Sequence, residues 1–296
     1  MLFHFLQASL YNNTHETIHN AFYPSGRILE SGTASSIDAF QEYDLNLIDR
    51  VRLMELVEMA SNTYHSHDLD TILDKFGYDG DGVRAKAFRY NGRVAIAFKG
   101  TTLSVMGVGI GRTSKKDKLL DRILYSICKD KGCEEEKIRE FDSIGYFSDG
   151  LKIVDYVKRT YHEDKPILIG HSLGGTIASL LGIRYNLSAV AFSSPGDAHI
   201  ASILGFYDTK RDHSNILHIG MCNDVVFRGE CSKPYSPCNI LGYAIETRCH
   251  VGRSLCIKDG EWNSLIYHPI DVMRAKIMMP EELILVEDNT RTNCVY

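Results

Sequence analysis

The spacing of apolar residues changes repeatedly along the chain, and each change predicts a helix or a strand. In residues 49–64 the apolar positions recur three or four residues apart, which predicts an amphipathic helix. Residues 83–90 and 93–98 flank Asn91 and Gly92, a dipeptide typical of two-residue hairpin turns. Further along, the patterns predict a helix at 144–161, a strand at 166–169, a helix at 176–181, strands at 187–192 and 216–219, and a helix at 271–279. This alternation predicts an α/β fold, a mainly parallel sheet with helices on its faces.

Length and composition favour one domain over the whole chain, residues 1–296. The chain is 44% hydrophobic and carries a net charge of −5, which argues against a nucleic-acid partner. It contains no run of 18 apolar residues, so the sequence predicts no transmembrane helix. Residues 1–10 are apolar but lack the basic start and the cleavage site of a secretory signal. They are a degenerate signal, a truncated start or the first element of the domain, and we favour the last two.

Eight cysteines indicate disulfides and therefore an oxidising compartment. Five of them fall within residues 222–256, and Cys128 and Cys133 form another close pair. Their spacing does not match a zinc site. We expect a C-terminal region held by disulfides; the alternative is a cytosolic protein with free thiols.

The segment Gly170-His171-Ser172-Leu173-Gly174 fits the G-x-S-x-G nucleophile elbow. A predicted strand precedes it and a predicted helix follows it, which places Ser172 on a sharp turn. Glycines at 170 and 174 allow the strand and the helix to pass closely. The alternative is an ordinary glycine–serine turn in an α/β protein. We expect His171 to have a packing role.

A serine nucleophile also needs a base and an acid that orients the base. In hydrolases with this elbow, the acid and then the histidine follow the serine in chain order. Asp224 follows the strand at 216–219, whereas its rival Asp197 follows the preceding strand, so we favour Asp224. Only His250 and His268 come later. We favour His268 as the base because it lies on a loop just before a helix.

Backbone N–H groups are expected to bind the oxyanion that forms during such a reaction. One donor is Leu173, directly after the nucleophile. The other is Thr101, in the loop that follows the hairpin strand and contains Gly100. The alternative for this loop is an ordinary turn with glycine at its tight position.

Together these residues resemble the class 3 (fungal-type) triacylglycerol lipases and, within them, the autophagy-related vacuolar lipases. The resemblance covers roughly residues 50–275, and its more specific parts are Asp117–Asp121 and the segment from Glu246 to Cys256. It implies an α/β-hydrolase fold, with nucleophile Ser172, acid Asp224, base His268 and oxyanion donors Thr101 and Leu173. It also implies a fatty-acyl ester substrate in membrane or storage lipids, and a role in the breakdown of autophagic membranes in a vacuole or lysosome lumen.

Residues 103–140 combine basic and apolar stretches, as expected for a lid that covers the site and transiently contacts a lipid surface. The alternative is a solvated loop whose lysines have no specific role. We expect a monomer without a cofactor. We also expect no metal site, since His65 and His67 lack partners at a metal-binding spacing. Two other functions stay open: a non-catalytic domain that binds lipid or a partner, and an esterase acting on soluble acyl substrates.

Overall fold

The computed structural model describes residues 50–101, 114–232, 235–240, 243–259, 262–278 and 285–287. Within these ranges the strands form one sheet and the helices lie against it. The strands are β1 (Ile72–Phe76), β2 (Ala85–Tyr90), β3 (Arg93–Phe98), β4 (Ile167–His171), β5 (Ala189–Phe192), β6 (Ile216–Met221), β7 (Arg253–Ile257) and β8 (Leu285–Glu287). The helices are α1 (Arg50–Asn62), α2 (Ser114–Tyr125), α3 (Cys133–Ile144), α4 (Tyr146–Tyr161), α5 (Leu173–Tyr185), α6 (Ala198–Ile203), α7 (Pro237–Ile240) and α8 (Ile270–Met278).

The described strands follow chain order across the sheet, from β1 at one side to β8 at the other. The pairs β1–β2, β2–β3 and β7–β8 are antiparallel, and the four pairs from β3 to β7 are parallel. The parallel strands therefore end at the same edge of the sheet, which we call the carboxyl edge. In α/β folds this is the edge whose loops carry ligand and catalytic groups.

Both faces of the sheet are covered by apolar side chains of helices. Consecutive parallel strands joined by right-handed crossovers place their helices on one face, and α4, α5 and α6 do contribute to a common core, with Val154, Leu180 and Ile200 buried in it. Leu53 of α1 and Met273 of α8 are buried in a second core on the other face. This arrangement confirms the predicted α/β fold with a mainly parallel sheet.

The predicted elements agree with the structure, apart from a few boundaries. The hairpin turns at Asn91 and Gly92, whose φ angles are 48° and 77°, the left-handed values that such a turn requires. The helix predicted at 144–161 begins at Tyr146, because Gly145 adopts a φ of 81° and separates it from α3. Strands β1, β7 and β8 were not predicted; in β1 the apolar and polar residues do not alternate regularly along the sequence.

The described part of the segment 103–140, residues 114–140, packs against the core. Leu120, Ile123, Leu124 and Tyr125 of α2 are buried, although their apolar character had suggested a lid surface. Residues 102–113 lie outside the described residues. The lid function of this segment and its contact with lipid therefore stay predictions.

Disulfides hold the C-terminal region as the cysteine spacing predicted. Cys222 pairs with Cys256 and Cys231 pairs with Cys238, and a third bond joins Cys128 to Cys133. The first of these bonds ties the end of β6 to β7. Among the described residues, no helix is both long enough and apolar enough to cross a membrane.

Candidate active site

Ser172 occupies a strained turn between β4 and α5. Its φ and ψ angles are 55° and −126°, a combination that non-glycine residues rarely adopt. A Cβ atom at Gly170 would lie 2.1 Å from the carbonyl oxygen of Gly174, and one at Gly174 would lie 2.2 Å from that of Phe98. Both contacts are too short for any side chain, so glycine at these two positions permits the close passage of strand and helix. This is the elbow geometry that the sequence predicted.

The structure brings Ser172, His268 and Asp224 into one hydrogen-bonded row. His268 Nε2 lies 3.0 Å from Ser172 Oγ, and His268 Nδ1 lies 2.9 Å from Asp224 Oδ2. Because the carboxylate must accept, Nδ1–H donates to Asp224 and Nε2 accepts the proton of the serine hydroxyl. Asp224 and His268 are buried, and the relative solvent exposure of Ser172 is 8%. In this arrangement His268 Nε2 is placed to accept the proton of Ser172 Oγ.

The predicted acid and the predicted base lie in loops at the carboxyl edge. Asp224 lies in a turn directly after β6, where its N–H donates to Met221 O at 3.0 Å. Its Oδ1 accepts from the N–H of Val226 at 2.8 Å, so only Oδ2 faces the histidine. His268 follows a short 3₁₀ turn, Leu265–Tyr267, and lies two residues before the start of α8. The ends of two secondary-structure elements thus fix both side chains.

The loop with the predicted oxyanion donor packs against the elbow. A Cβ atom at Gly100 would lie 2.2 Å from His171 O and 3.1 Å from Ser172 Cβ. The hydroxyl of the next residue, Thr101, donates to Asp121 Oδ2 at 2.9 Å, which orients Thr101 beside the serine. The other predicted donor, Leu173, is the first residue of α5, and N–H groups of a first helical turn have no intrahelical acceptor. Both predicted donors are therefore at the elbow.

Asp121 is a site residue that the sequence did not predict. It is buried, and this burial raises the pKa of Asp121 to about 8, with the nearby charge of Asp117 adding to the shift. The sequence did contain an indication of its role, because Asp117 and Asp121 bound the segment 117–121 that carries the family resemblance.

His171 is bonded more specifically than the packing role predicted from the sequence. Its Nε2–H donates to the carbonyl oxygen of His268 at 2.9 Å, and its Nδ1 accepts from the hydroxyl of Tyr64 at 2.8 Å. The Tyr64 oxygen in turn accepts from the N–H of Gly100 at 3.0 Å. Burial, followed by the neighbouring His268, lowers the pKa of His171 to about 3, so the ring is neutral. Sequence reasoning missed Tyr64 because it lies 107 positions from its partner.

A second row of serine, histidine and aspartate lies below the surface. Ser194 Oγ is 2.9 Å from His218 Nδ1, and His218 Nε2 is 3.4 Å from Asp197 Oδ2. All three residues are completely buried. Asp197 also accepts from Val251 N and from the hydroxyl of Ser179. Burial raises the pKa of Asp197, but its interactions with His218 and other neighbours outweigh that effect and hold the pKa below its usual value.

Asp197 and His250, the alternatives to Asp224 as the acid and to His268 as the base, belong to this buried cluster. Asp197 is part of it, and His250 Nε2 lies 3.1 Å from the backbone oxygen of Ser194. A substrate cannot reach a serine without exposed surface, and Ser194 is not on a strained strand-to-helix turn. The cluster therefore connects the loops after β5 and β6, whereas the row at Ser172 has the access that chemistry requires.

Comparison with known proteins points to lipases. No family model matches the chain. It is 32% identical over 261 residues to a Saccharomyces cerevisiae protein named "Putative lipase ATG15", an alignment that covers 72% of this chain and 48% of that protein. The Pichia angusta protein of the same name is 30% identical over 311 residues, 90% of this chain and 56% of that protein. The chain thus spans about half the length of the curated relatives it matches.

Solved structures similar to this chain include two lipases from Rhizopus. The lipase of Rhizopus microsporus var. chinensis matches with a TM-score of 0.41 and 15% identity, covering 72% of this chain and 76% of that one. Lipase II of Rhizopus niveus matches with a TM-score of 0.40 and 14% identity, covering 74% and 92%. With its sheet, its elbow and its sequence similarity to the yeast proteins, the chain has the α/β-hydrolase fold and belongs to the family of the ATG15 lipases.

Proposed function

We propose that this chain is a carboxylic ester hydrolase of the lipase type, in which Ser172 is the nucleophile, His268 the base and Asp224 the acid. The observation that carries the proposal is the continuous hydrogen-bonded row from Ser172 Oγ through His268 to Asp224, set on a strained elbow. The names of its relatives support the same reaction class.

In the proposed mechanism, Ser172 Oγ attacks the ester carbonyl carbon while its proton moves to His268 Nε2. Asp224 stabilises the imidazolium through Nδ1–H. The N–H groups of Thr101 and Leu173 donate to the oxyanion, and the loss of one such donor raises the barrier by about 3 kcal/mol. When the tetrahedral intermediate collapses, His268 gives its proton to the leaving alcohol. A water molecule, deprotonated by His268, then attacks the acyl-enzyme and releases the fatty acid and the serine.

The proposed substrates are fatty acyl esters of membrane or storage lipids, including phospholipids. We further propose that the chain acts on autophagic membranes in a vacuole or lysosome lumen, or elsewhere in the secretory pathway. Two observations support this proposal: the autophagy-related name of its relatives and the disulfides, which persist in oxidising compartments.

Labelling with a fluorescent phosphonate probe, which reacts with activated serines, tests the assignment. We expect the native protein and Ser194→Ala to be labelled, and Ser172→Ala and His268→Ala to remain unlabelled. Ser194→Ala is the matched control because it removes the serine of the buried row. Circular dichroism verifies that each variant is folded. Loss of labelling in a folded Ser194→Ala protein, with labelling retained in Ser172→Ala, would overturn the proposal.

A further inference from the structure

Trp262 and Ile266 are large apolar side chains that are mostly exposed to solvent. Their exposures are 79% and 67%, and among the described residues the other large apolar side chains that are more than half exposed are Val51, Tyr235 and Ile240. Both belong to the loop that follows β7 and leads to His268. Exposure of single apolar residues is ordinary on protein surfaces, but these two side chains both lie in the loop that leads to His268.

The loop that carries this pair is bonded to the loop of the acid. Ser264 N–H donates to Asn223 O at 2.9 Å, and Ser264 also forms an isolated bridge with Asp224. The side chain of Ser264 accepts from Ile266 N at 3.3 Å and caps the short turn. The backbone at Ile266 is therefore held in place, two residues before the base.

The neighbours of Ile266 show that its exposure is specific to that position. Leu265 packs against the core beneath α4 and α5, and Tyr267 packs against the core of the opposite face. One turn thus directs two apolar side chains inward and leaves the third, Ile266, outward.

The burial of the catalytic row determines from which side a substrate arrives. Ser172 and His268 expose little surface, and both lie at the carboxyl edge, where the loop of Trp262 also lies. A lipid ester is held in a bilayer or droplet, so that surface must come against this edge before the ester reaches Ser172. An indole, with an apolar ring and a polar N–H, is suited to the boundary between lipid and water.

Two ion pairs lie beside this loop, and Lys258, at the start of the loop, is exposed. Arg228 contacts Glu230 at 2.8 Å, and Lys276 contacts Asp259 at 2.9 Å. Paired charges attract anionic headgroups weakly. With two ion pairs, one exposed lysine and two exposed apolar side chains, this part of the edge suits a zwitterionic phospholipid surface, whose headgroups carry both charges.

From this arrangement we infer that Trp262 and Ile266 form a docking surface for phospholipid membranes, on which the protein seats its carboxyl edge before hydrolysis. The inference deepens the proposed function and rests on it, since it names the physical form of the substrate. It also places a membrane contact outside the segment 103–140.

Trp262 is the only tryptophan in the chain, so intrinsic tryptophan fluorescence reports on this position alone. The experiment adds phosphatidylcholine vesicles to the Ser172→Ala protein, which cannot consume them by the proposed reaction. We expect the emission to shift to shorter wavelength, and brominated acyl chains to quench it, with little effect of high salt. The control is Ser172→Ala/Trp262→Phe/Tyr156→Trp, which moves the tryptophan to the far half of α4, where we expect neither change.

Activity gives an independent readout. In Trp262→Ser and Ile266→Ser, the ratio of vesicle-lipid turnover to soluble short-chain ester turnover is expected to fall about tenfold, because apolar area is lost from the docking surface. Vesicle binding, measured by co-sedimentation, without any change in Trp262 emission would overturn the docking surface. A spectral shift combined with a native protein that hydrolyses no ester would keep the surface and overturn the proposed function instead.

Discussion

The hydroxyl of Tyr64 and the ring of His171 connect two parts of the candidate active site, the loop with Gly100 and the segment with His268. Tyr64 donates to His171 Nδ1 at 2.8 Å and accepts from Gly100 N–H at 3.0 Å, while His171 Nε2–H holds the carbonyl oxygen of His268. These hydrogen bonds run from the loop with the proposed oxyanion donor Thr101 to the backbone of His268, the proposed base. Because burial keeps His171 neutral, the same donor and acceptor pattern persists over a wide pH range.

If these hydrogen bonds position His268, replacing His171 with Asn and replacing it with Gln should have different effects on kcat. Gln places its amide where Nε2 lies and can still donate to His268 O, whereas Asn reaches only toward Tyr64. We expect kcat to fall by about tenfold in His171→Asn and by less in His171→Gln, with KM little changed, since the loss affects orientation rather than binding. Steady-state kinetics on a soluble ester measure both constants.

The outcome that contradicts this role is equal activity in the Asn and Gln variants once both are shown to be folded. Tyr64→Phe is the companion variant, because it removes only the hydroxyl. It leaves the N–H of Gly100 and Nδ1 of His171 without their shared partner, and we expect its kcat also to fall with little change in KM.

Asp121 makes stability depend on pH in a direction opposite to that of most carboxylates. Burial raises its pKa to about 8 in the folded protein, whereas an aspartate in an unfolded chain titrates near about 3.9. Between these values the folded state holds a proton that the unfolded state has lost. Stability from this group is therefore complete below the unfolded value and declines as pH rises toward about 8.

Asp121→Asn, a neutral replacement that can still accept from Thr101, should remove this dependence. Relative to the native protein, we expect the free energy of unfolding of the variant to rise by at least about 1 kcal/mol between about pH 5 and about pH 7. Urea unfolding at the two pH values measures the difference. A constant difference between the two proteins would show that Asp121 is already ionised at neutral pH.

The parts of the site that the sequence predicted are those coded by local patterns. Ser172 is marked by glycines two positions away on either side and by the strand and helix around it. Asp224 and His268 could be selected because chain order and the ends of predicted elements limit the choice. The structure brings them together with Ser172, and the phosphonate experiment tests their roles.

What the sequence did not predict depends on contacts between distant segments. Tyr64 meets His171 across 107 positions, and Thr101 meets Asp121 only because α2 folds back on the loop after β3. The role of the apolar residues of α2 could not be decided from the sequence either. Leu120 and Ile123 have a helical spacing that fits a lid surface as well as a core, and only the packing shows that they are buried.

The elbow itself offers a test of close packing. Gly174→Ala would place a Cβ atom 2.2 Å from Phe98 O and 2.7 Å from Lys99 C, so the loop that carries Thr101 must move. We expect a loss of about 1–3 kcal/mol in stability, together with a fall in kcat. Gly80→Ala is the control, since its Cβ would lie no closer than 3.9 Å to any neighbour. Equal stability of the two variants would contradict the tight passage of strand and helix.

The Cys222–Cys256 bond should contribute more to stability than the Cys128–Cys133 bond, because it closes a longer loop. The sequence separations are 34 and 5 residues, for which loop-closure entropy predicts about 4 and about 2 kcal/mol. We expect Cys222→Ser/Cys256→Ser to unfold at correspondingly lower denaturant concentration than Cys128→Ser/Cys133→Ser. The first bond also anchors the turn that holds Asp224 two residues away, so kcat should fall in the first variant and much less in the second. Equal kcat in the two variants would mean that β6 and β7 hold Asp224 in place without the bond.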